Sequence, residues 1–483
     1  MNSRLSKILL VASGCMAASA WATSVYPVKL DLTKGKSQAA ITGVGNLDNP
    51  ANGAFARGSL DSDDTVQLRI PVSAAIEYGN VDNLFDRLDE LSAAYSTSDD
   101  GGGGGQGGSS GGESLNIDFN SANPDLDAII DEISDQASRL AAFTALVAVE
   151  GYARAELREE VSLLINKDVL NGTLKLSVSR DRLTSAIGIG DEFQFDADTA
   201  RQELQAAYNL LPTDPVTTFD LSGGLSLTVD PTRDAINFEF ANDSLLLTKA
   251  AKKTDVAISY SSLWFENDAG ALYWGITPIY RQIGLSNIGI RFGDLVDSEE
   301  LFEKIDDAEF AKDDAFALDA GLFWLSKHYS LGASFYDLLP TTYYFPVLDN
   351  NSALNPEIRA ELERHSDYET ETQLTLEGSV FSEGGRWALS AAVDTRATQD
   401  PFRQEFQWAS LRADAFWNSW AFSNLNLAVH SNLAGSELTY VSLGADFLKV
   451  LSLDIASTLD STEIEGDELP RGVSLSLGLN FAF

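Results

Sequence analysis

An alternation of apolar and polar residues runs through the second half of the chain and constrains its fold more than any other feature. From Val473 to Phe483 every second residue is apolar, and the residues between are small or polar. A period of two is typical of a strand whose two faces meet different surroundings. Similar rows begin near Val216 and recur up to the last residue. The pattern predicts an all-β fold, which a transmembrane barrel or a β-sandwich would satisfy.

The lengths of the connections between these rows favour the barrel. Counted back from Phe483, long and short links alternate, and the long ones lie near residues 460–470, 432–436, 396–404, 338–367, 295–313 and 249–253. Outer-membrane barrels have short periplasmic turns at one end and longer extracellular loops at the other, whereas a sandwich has no reason to sort its loops. We therefore expect the apolar rows to face outer-membrane lipid, the polar rows to face the lumen, and the C-terminus to lie in the periplasm.

The first residues have the features of an export signal. Arg4 and Lys7 precede an apolar run, and Ala20-Trp21-Ala22 offers small residues at the cleavage positions. We expect residues 1–22 to be a signal peptide that is cleaved after Ala22. In an alternative interpretation Cys15, the one cysteine of the chain, is the acylated N-terminus of a lipoprotein.

The charge of the chain limits its partners. The formal net charge is −39, from 33 basic and 72 acidic side chains. Such a surface repels nucleic acid, so we expect no nucleic-acid partner. Beyond the signal, no apolar run reaches the 18 or so residues that a membrane-spanning helix needs.

The N-terminal third has a different pattern. Residues 81–91 and 124–164 have helical spacing, residues 99–113 form a glycine-rich linker, and a further helix is predicted over 198–211. Strands fit at 65–76, and at 171–181 and 183–194 on either side of a turn at Asp181-Arg182. The count reaches 16. We divide the chain into a signal peptide (1–22), a hatch-like segment (23–64), first strands with helical insertions (65–215) and the main barrel strands (216–483).

Several segments resemble known outer-membrane proteins. The stretch ITGVGNLDNPANGAFARG (41–58) resembles the N-terminal hatch of FadL-like long-chain fatty acid channels. Together with 82–91, 274–295 and 314–346 it is more similar to outer-membrane proteins called conjugal transfer protein TraF. This resemblance implies a hatch that contains Gly43, Gly45, Asn49, Pro50 and Ala51. FadL-like barrels usually have 14 strands, so together with the count of 16 we expect an all-β transmembrane barrel of 14–16 antiparallel strands. The terminal Phe483 resembles the signal recognised by the outer-membrane assembly machinery.

The strand registers predict which polar side chains face the lumen. Acidic residues predominate among them, and only Lys175 and Arg412 oppose them among the clear cases. A lumen lined by carboxylates favours cations and opposes anions, although polar residues fill many barrel interiors without such a role. The residues that we assign to the lumen are Glu371, Glu377, Asp394, Arg412, Asp414, His430, Asp446 and Asp454.

Three functions are compatible with this pattern. The first is a passive channel or binding protein for small neutral or hydrophobic molecules. The second is a surface interaction protein linked to conjugation, which acts through its acidic extracellular loops. The third is an outer-membrane hydrolase, for which His430 beside Asn432 is the available fragment of a catalytic site. Since no recognisable catalytic, metal or phosphate-binding motif occurs, we expect a protein that is not an enzyme and has no cofactor.

Overall fold

The structure is a computed structural model, and it describes residues 49–54, 66–79, 130, 152–169, 171–190, 196–211, 213–222, 225–230, 235–240, 244–291, 309–348, 354–383, 385–417, 419, 421–448, 450–464 and 467–482. The predicted signal peptide, Gly43, Gly45, the glycine-rich linker and Phe483 lie outside these residues.

Fourteen of the described strands form one closed antiparallel barrel. The first strand pairs with both the second and the last, so the sheet has no free edge. The barrel strands are β1 (Val66–Tyr78), β2 (Tyr152–Val169), β3 (Gly172–Ile189), β7 (Leu245–Asn267), β8 (Gly270–Arg291), β9 (Ala311–Leu325), β10 (Tyr329–Tyr336), β13 (Gln373–Phe381), β14 (Trp387–Asp394), β17 (Trp408–Phe416), β18 (Phe422–Asn432), β19 (Thr439–Phe447), β20 (Leu451–Thr458) and β23 (Gly472–Ala482).

Two strands of the predicted 16 are absent from the barrel. The alternating rows of residues 217–240 form β4 (Thr217–Ser222), β5 (Leu225–Asp230) and β6 (Ala235–Phe240), which are a separate three-stranded sheet. The predicted link at 249–253 is wrong, because β7 runs through it and pairs with β3 and β8 on either side. Alternation of apolar and polar residues shows only that the two faces of a strand have different surroundings. A small sheet with one face packed on a helix has this pattern, just as a barrel strand does.

The predictions for the first barrel strands also need correction. The helical stripe that was expected to run to Leu164 overlaps β2, which is a strand from Tyr152. The expected turn at Asp181-Arg182 does not exist, because β3 is continuous through it and pairs with β2 along its length. On the inner face of β2, every second residue is charged. A search for alternating apolar residues therefore does not recognise this strand.

Short and long connections separate the two ends of the barrel, as the sequence predicts. Short turns join β2 to β3, β7 to β8, β9 to β10, β13 to β14, β17 to β18 and β19 to β20. The connections at the other end include 190–244, 337–372 and 395–407. We call the two ends the short-turn end and the long-link end.

The long connections contain folded elements of their own. Helix α1 (Ala197–Tyr208) confirms the helix predicted over 198–211, and it packs on the β4–β6 sheet through Leu204 and Leu227, both 0% exposed. The other elements are β11 (Thr342–Tyr344), α2 (Pro356–Arg364), β12 (Asp367–Glu369), β15 (Thr398–Gln399), β16 (Glu405–Phe406), β21 (Ser461–Ile464) and β22 (Asp467–Pro470).

Candidate functional site

A short segment of the chain lies inside the barrel wall. This inner segment, Asn49–Ala54, reaches β9 and β13 through one side chain: Asn49 Nδ2 donates to Leu322 O at 3.1 Å and to Glu377 Oε1 at 2.9 Å. Asn49 Oδ1 also accepts from Ala51 N at 3.0 Å, which closes a tight turn. Both Asn49 and Ala51 are fully buried. One asparagine therefore shapes the turn and attaches it to the wall.

Two glycines of the wall make room for this segment. A Cβ atom added to Gly275 on β8 would lie 2.0 Å from Pro50 O, and one added to Gly321 on β9 would lie 2.1 Å from Asn49 Oδ1. At Gly275 the nearest atoms belong to backbone, so no rotamer change relieves the overlap. The close approach of the two backbones requires glycine at this position.

A chain of alternating charges crosses the inner face of β2, β3, β7 and β8. Asp255 is its best-defined member, because Arg281 Nε lies 3.0 Å from Asp255 Oδ1 and Lys253 Nζ lies 3.1 Å from Asp255 Oδ2. Lys253 also meets Asp181 at 3.3 Å, and Arg281 donates to Asp337 at 2.6 Å. Arg158, Glu160 and Lys175 continue the chain. Four cations and four anions alternate, so the ionised chain has no net charge.

The inner face of the barrel carries more cations than the sequence predicted. Besides Lys175 and Arg412, the inner faces of β1, β2, β7 and β8 contribute further cations: Arg69, Arg154, Arg158, Lys249, Lys253 and Arg281. Sequence reasoning missed most of them because β2 was interpreted as a helix and β7 was split. The charges at every second position from Arg154 to Glu160 are the signal that could have found them.

The residues predicted to face the lumen have the following positions. Glu371 precedes β13, where its Oε2 accepts from Gln399 N at 3.3 Å. Arg412 Nε pairs with Asp414 Oδ2 at 2.9 Å. Seven of the eight lie on barrel strands and alternate with outward apolar side chains: Glu377, Asp394, Arg412, Asp414, His430, Asp446 and Asp454. That they border a permeation pathway stays a prediction.

His430 has a neighbour that the sequence did not suggest. Its Nε2 lies 3.2 Å from Ser442 Oγ on β19, whereas Ser431 faces outward and contacts Thr439. His430 is 3% exposed and Ser442 is 1% exposed. Such burial suits packing of the wall better than presentation of a nucleophile to a substrate.

Aromatic side chains fill the long-link end of the barrel. Two long connections turn inward there, and we call them the lid (residues 337–348, 354–372 and 395–407). The Tyr343 and Tyr368 rings stack at 6.2 Å, and the Phe406 and Trp408 rings stack at 6.3 Å. The cluster includes Tyr343, Phe345, Tyr368, Phe402, Phe406, Trp408 and Tyr440. All seven rings are at most 9% exposed, so they form a packed core that joins the lid to the barrel wall.

Two cations of the barrel wall hold the lid. Lys249 on β7 is fully buried, lies 3.9 Å from the centroid of the Phe345 ring and donates to Pro401 O at 3.2 Å. Arg154 on β2 pairs with Asp400 at 3.4 Å, and both side chains are 1% exposed. Since the wall supplies the cations and the lid supplies the acceptors, loss of either cation should loosen the lid.

A histidine of the lid makes the stability of the lid depend on pH. His365 lies directly after α2, and burial together with Lys249, Arg403 and Arg364 lowers the pKa of its imidazole to about 4. Glu361 Oε1 lies 3.5 Å from His365 Nε2, but it is partly exposed and does not offset these effects. An unfolded histidine titrates near 6.5. The folded lid therefore binds fewer protons between these values, and its stability falls as the pH drops from about 6.5 towards 4.

We expect acid to loosen the lid through this residue. Hydrogen exchange of residues 354–368 should accelerate progressively between pH 6.5 and pH 4, after correction for the intrinsic pH dependence. The substitution His365→Gln should remove most of this acceleration, because glutamine takes up no proton. An unchanged pH profile in His365→Gln would contradict the assignment.

The sequence belongs to a known family. A family model described as "F plasmid transfer operon, TraF, protein" matches residues 46–394, which is most of the chain. The chain belongs to this family. The resemblance inferred from residues 41–58 and the later segments is thereby confirmed. Among curated proteins, none matches the sequence.

Several solved outer-membrane proteins are remotely similar in structure. The toluene transporter TbuX of Ralstonia pickettii is 8% identical, with 94% of this chain and 99% of that chain covered and a TM-score of 0.38. The toluene transporter TodX of Pseudomonas putida is 10% identical, with 97% of each chain covered and a TM-score of 0.36. A FadL homologue of Pseudomonas aeruginosa is 13% identical, with 96% and 100% covered and a TM-score of 0.34.

The outer face of the barrel agrees with a location in the outer membrane. Outward side chains are large, apolar and exposed along most strands, as at Val256, Phe316, Leu427 and Leu475. A closed sheet with an apolar exterior and a polar interior satisfies its backbone hydrogen bonds within lipid. The protein is an outer-membrane β-barrel. Within the part of the chain that the structure describes, no helix is long and apolar enough to cross a membrane.

Proposed function

We propose that the protein is a passive channel, or a binding protein, for small neutral or hydrophobic molecules. The observation that supports this most is the neutral chain of alternating charges from Lys175 to Asp337 beneath an aromatic lid. A permeating ion would have to break pairs that already satisfy each other, whereas a neutral solute would not. Opening of the lid would expose its buried rings as an apolar contact surface for such a solute.

The inner segment fits this function as a hatch. The inner segment packs against the inner face of the barrel wall near the short-turn end, whereas the lid covers the long-link end. The hatch assignment of Asn49, Pro50 and Ala51 predicts that deletion of residues 41–58 alters permeation.

Uptake of matched solutes tests this function. Cells that express the protein should take up benzyl alcohol faster than cells with an empty vector, because their outer leaflet slows apolar solutes. Benzoate and benzylammonium, which have the same ring with a charge, should gain much less. Planar bilayers with the purified chain should show low conductance and little preference for cations over anions. Strong cation selectivity, or equal gains for the three solutes, would contradict the proposal.

A surface interaction role is the second candidate, and one observation favours it. The description of the family model refers to a plasmid transfer operon. In addition, the connection 190–244 contains a folded unit, formed by α1 and β4–β6, that has its own buried core. A loop that serves only to join two strands needs no such core. In this role the acidic loops 295–313 and 338–367 and the α1/β4–β6 unit would contact a recipient cell or a protein.

Removal of the α1/β4–β6 unit separates the two candidates. A variant in which a short Gly-Ser linker replaces residues 196–240 keeps all 14 barrel strands and the lid. The channel function predicts unchanged solute uptake, whereas the interaction function predicts loss of mating or cell contact with permeability retained. Loss of uptake with normal cell contact would exclude the interaction role of this unit.

A further inference from the structure

A groove of about 480 Å³ indents the outer face of the barrel near the short-turn end. Its floor is the backbone of Gly275 on β8 and Gly321 on β9. The groove faces outward, because Ile276 and Leu322 in its walls are exposed and alternate with buried inward residues. The side chains that form the walls are Trp264, Trp274, Ile276, Ala320, Leu322 and Phe335. We call this feature the outer groove.

The registers of three strands explain why the surface is indented here. Ala320 on β9 lies directly opposite Ile276 on β8 and Phe335 on β10, so this row has a methyl group between two large side chains. In the next outward row towards the short-turn end, Leu322 lies opposite Trp274. The small size of Ala320 therefore sets the depth of the outer groove.

The lining of the outer groove is apolar. None of the residues that line it is charged, so a lipid headgroup or an ion has no partner within it. Inside a bilayer the hydrophobic effect does not favour one hydrocarbon contact over another, and close packing decides which contacts persist. A concave wall touches a hydrocarbon chain on more sides than the flat outer face of a strand does.

The position of the outer groove along the strands selects one leaflet. Trp264 lies close to the last residue of β7, Asn267, and its side chain is 63% exposed, as is usual for tryptophan at a membrane–water interface. From the level of Trp264 to Ile276 the groove extends over about four residues, or roughly 13 Å, against about 15 Å of hydrocarbon in one leaflet. The short-turn end is the periplasmic end in outer-membrane barrels, so this is the periplasmic leaflet.

A second copy of the barrel fits the outer groove poorly. A two-fold contact between subunits brings the same surface patch of each together. Two concave patches that face each other leave a void between them, and a void forfeits the contacts on which association in lipid depends. A flexible acyl chain can follow the shape of the groove instead.

We propose that the outer groove binds one acyl chain of a phospholipid from the periplasmic leaflet of the outer membrane. The site rests on the membrane location of the barrel and is independent of the solute that the lumen passes. Its floor is also the surface that the inner segment contacts from the other side, since a Cβ added to Gly275 or Gly321 would meet Pro50 or Asn49. A single layer of backbone separates the bound chain from the inner segment, so the lipid braces the wall where that segment packs.

Retention of lipid by the purified full-length chain tests the site. After extraction and detergent exchange, native mass spectrometry should find one phospholipid on the wild type, whatever its headgroup. Ala320→Phe fills the groove with a ring and should lower the lipid-bound fraction at least tenfold. Ala391→Phe places the same ring at an exposed outward position of β14, away from the groove, and is the matched control. It should retain lipid as the wild type does.

Each other outcome has a definite meaning. Equal retention by Ala320→Phe and the wild type overturns the site, as does an equal loss in Ala391→Phe. If only anionic phospholipids are retained, a charge outside the groove binds them and the assignment is wrong. If the wild type carries a second copy of the chain in place of lipid, the groove is a contact between barrels.

A smaller substitution guards against damage to the fold. A far-UV spectrum of Ala320→Phe that matches the wild type shows that lost lipid is not lost folding. Ala320→Leu fills less of the groove and should lower retention in the same direction, with Ala391→Leu as its control. Full retention in a folded Ala320→Leu and Ala320→Phe would overturn the proposal.

Discussion

Replacement of Arg154 by methionine should release the lid from the barrel wall. Arg154 Nη2 lies 3.4 Å from Asp400 Oδ2, Arg154 Nη1 donates to Gln404 at 3.0 Å, and its guanidinium lies 4.5 Å from the Phe406 ring. Loss of one partner of a buried ion pair costs about 3–5 kcal/mol, because the other charge stays buried without compensation. Burial raises the pKa of the Asp400 carboxyl, and Arg154 is the largest of the influences that oppose this rise.

A second substitution distinguishes lost pairing from general damage. Asp400 Oδ1 accepts from Phe402 N and Gln404 N, both at 2.8 Å, and asparagine keeps this acceptor without the charge. Arg154→Met/Asp400→Asn should therefore recover much of the stability that Arg154→Met loses. The measurement is limited proteolysis of residues 395–407 in the folded protein. The exposed pair Lys327–Glu383 is the control, since its loss should change nothing measurable. Equal cleavage of the single and double variants would contradict the role of the pair.

The barrel was predictable from the sequence because two independent signals agree. Alternation identifies strands with unlike faces, and the ordering of long and short links identifies a closed sheet whose two ends differ. The later strands follow both signals, from β13 to β23. Where one signal was missing the prediction failed: β2 alternates in charge rather than apolarity, and β4–β6 alternate but belong to a separate sheet.

The lid and the charge chain were beyond the reach of the sequence for a different reason. Lys249 and Pro401 are 152 residues apart, and Asn49 and Glu377 are 328 apart. Contacts of this kind depend on which strands are neighbours around the barrel, and a shift of one residue in register would reverse every side chain. The family resemblance pointed to the inner segment. The glycines against which it packs, Gly275 and Gly321, can be identified only once the pairing of the strands is known.

Replacement of Gly275 by alanine should displace the inner segment. The added Cβ would lie 2.0 Å from Pro50 O and 2.7 Å from Ala51 N, and backbone cannot yield as a side chain does. Ala51→Cys, fully buried in the wild type, should then react with an impermeant maleimide at least tenfold faster. Gly378→Ala on β13 is the matched control, because its Cβ would meet only Leu331 Cδ2 at 3.3 Å and Ser330 O at 3.7 Å. An unreactive Ala51→Cys in the Gly275→Ala background would show that the strands move instead.

The inner segment and the lid should act as two barriers in series. Gly275→Ala affects the short-turn end and Arg154→Met affects the long-link end, so each variant alone leaves the other barrier in place. We therefore expect small increases in single-channel conductance from each and a larger than multiplicative increase from both together. The energetic effects of substitutions at distant sites normally add. A larger than multiplicative effect would therefore indicate that the inner segment and the lid obstruct the same pathway. A double variant whose conductance is the simple product of the two effects would mean that the inner segment does not close the pathway.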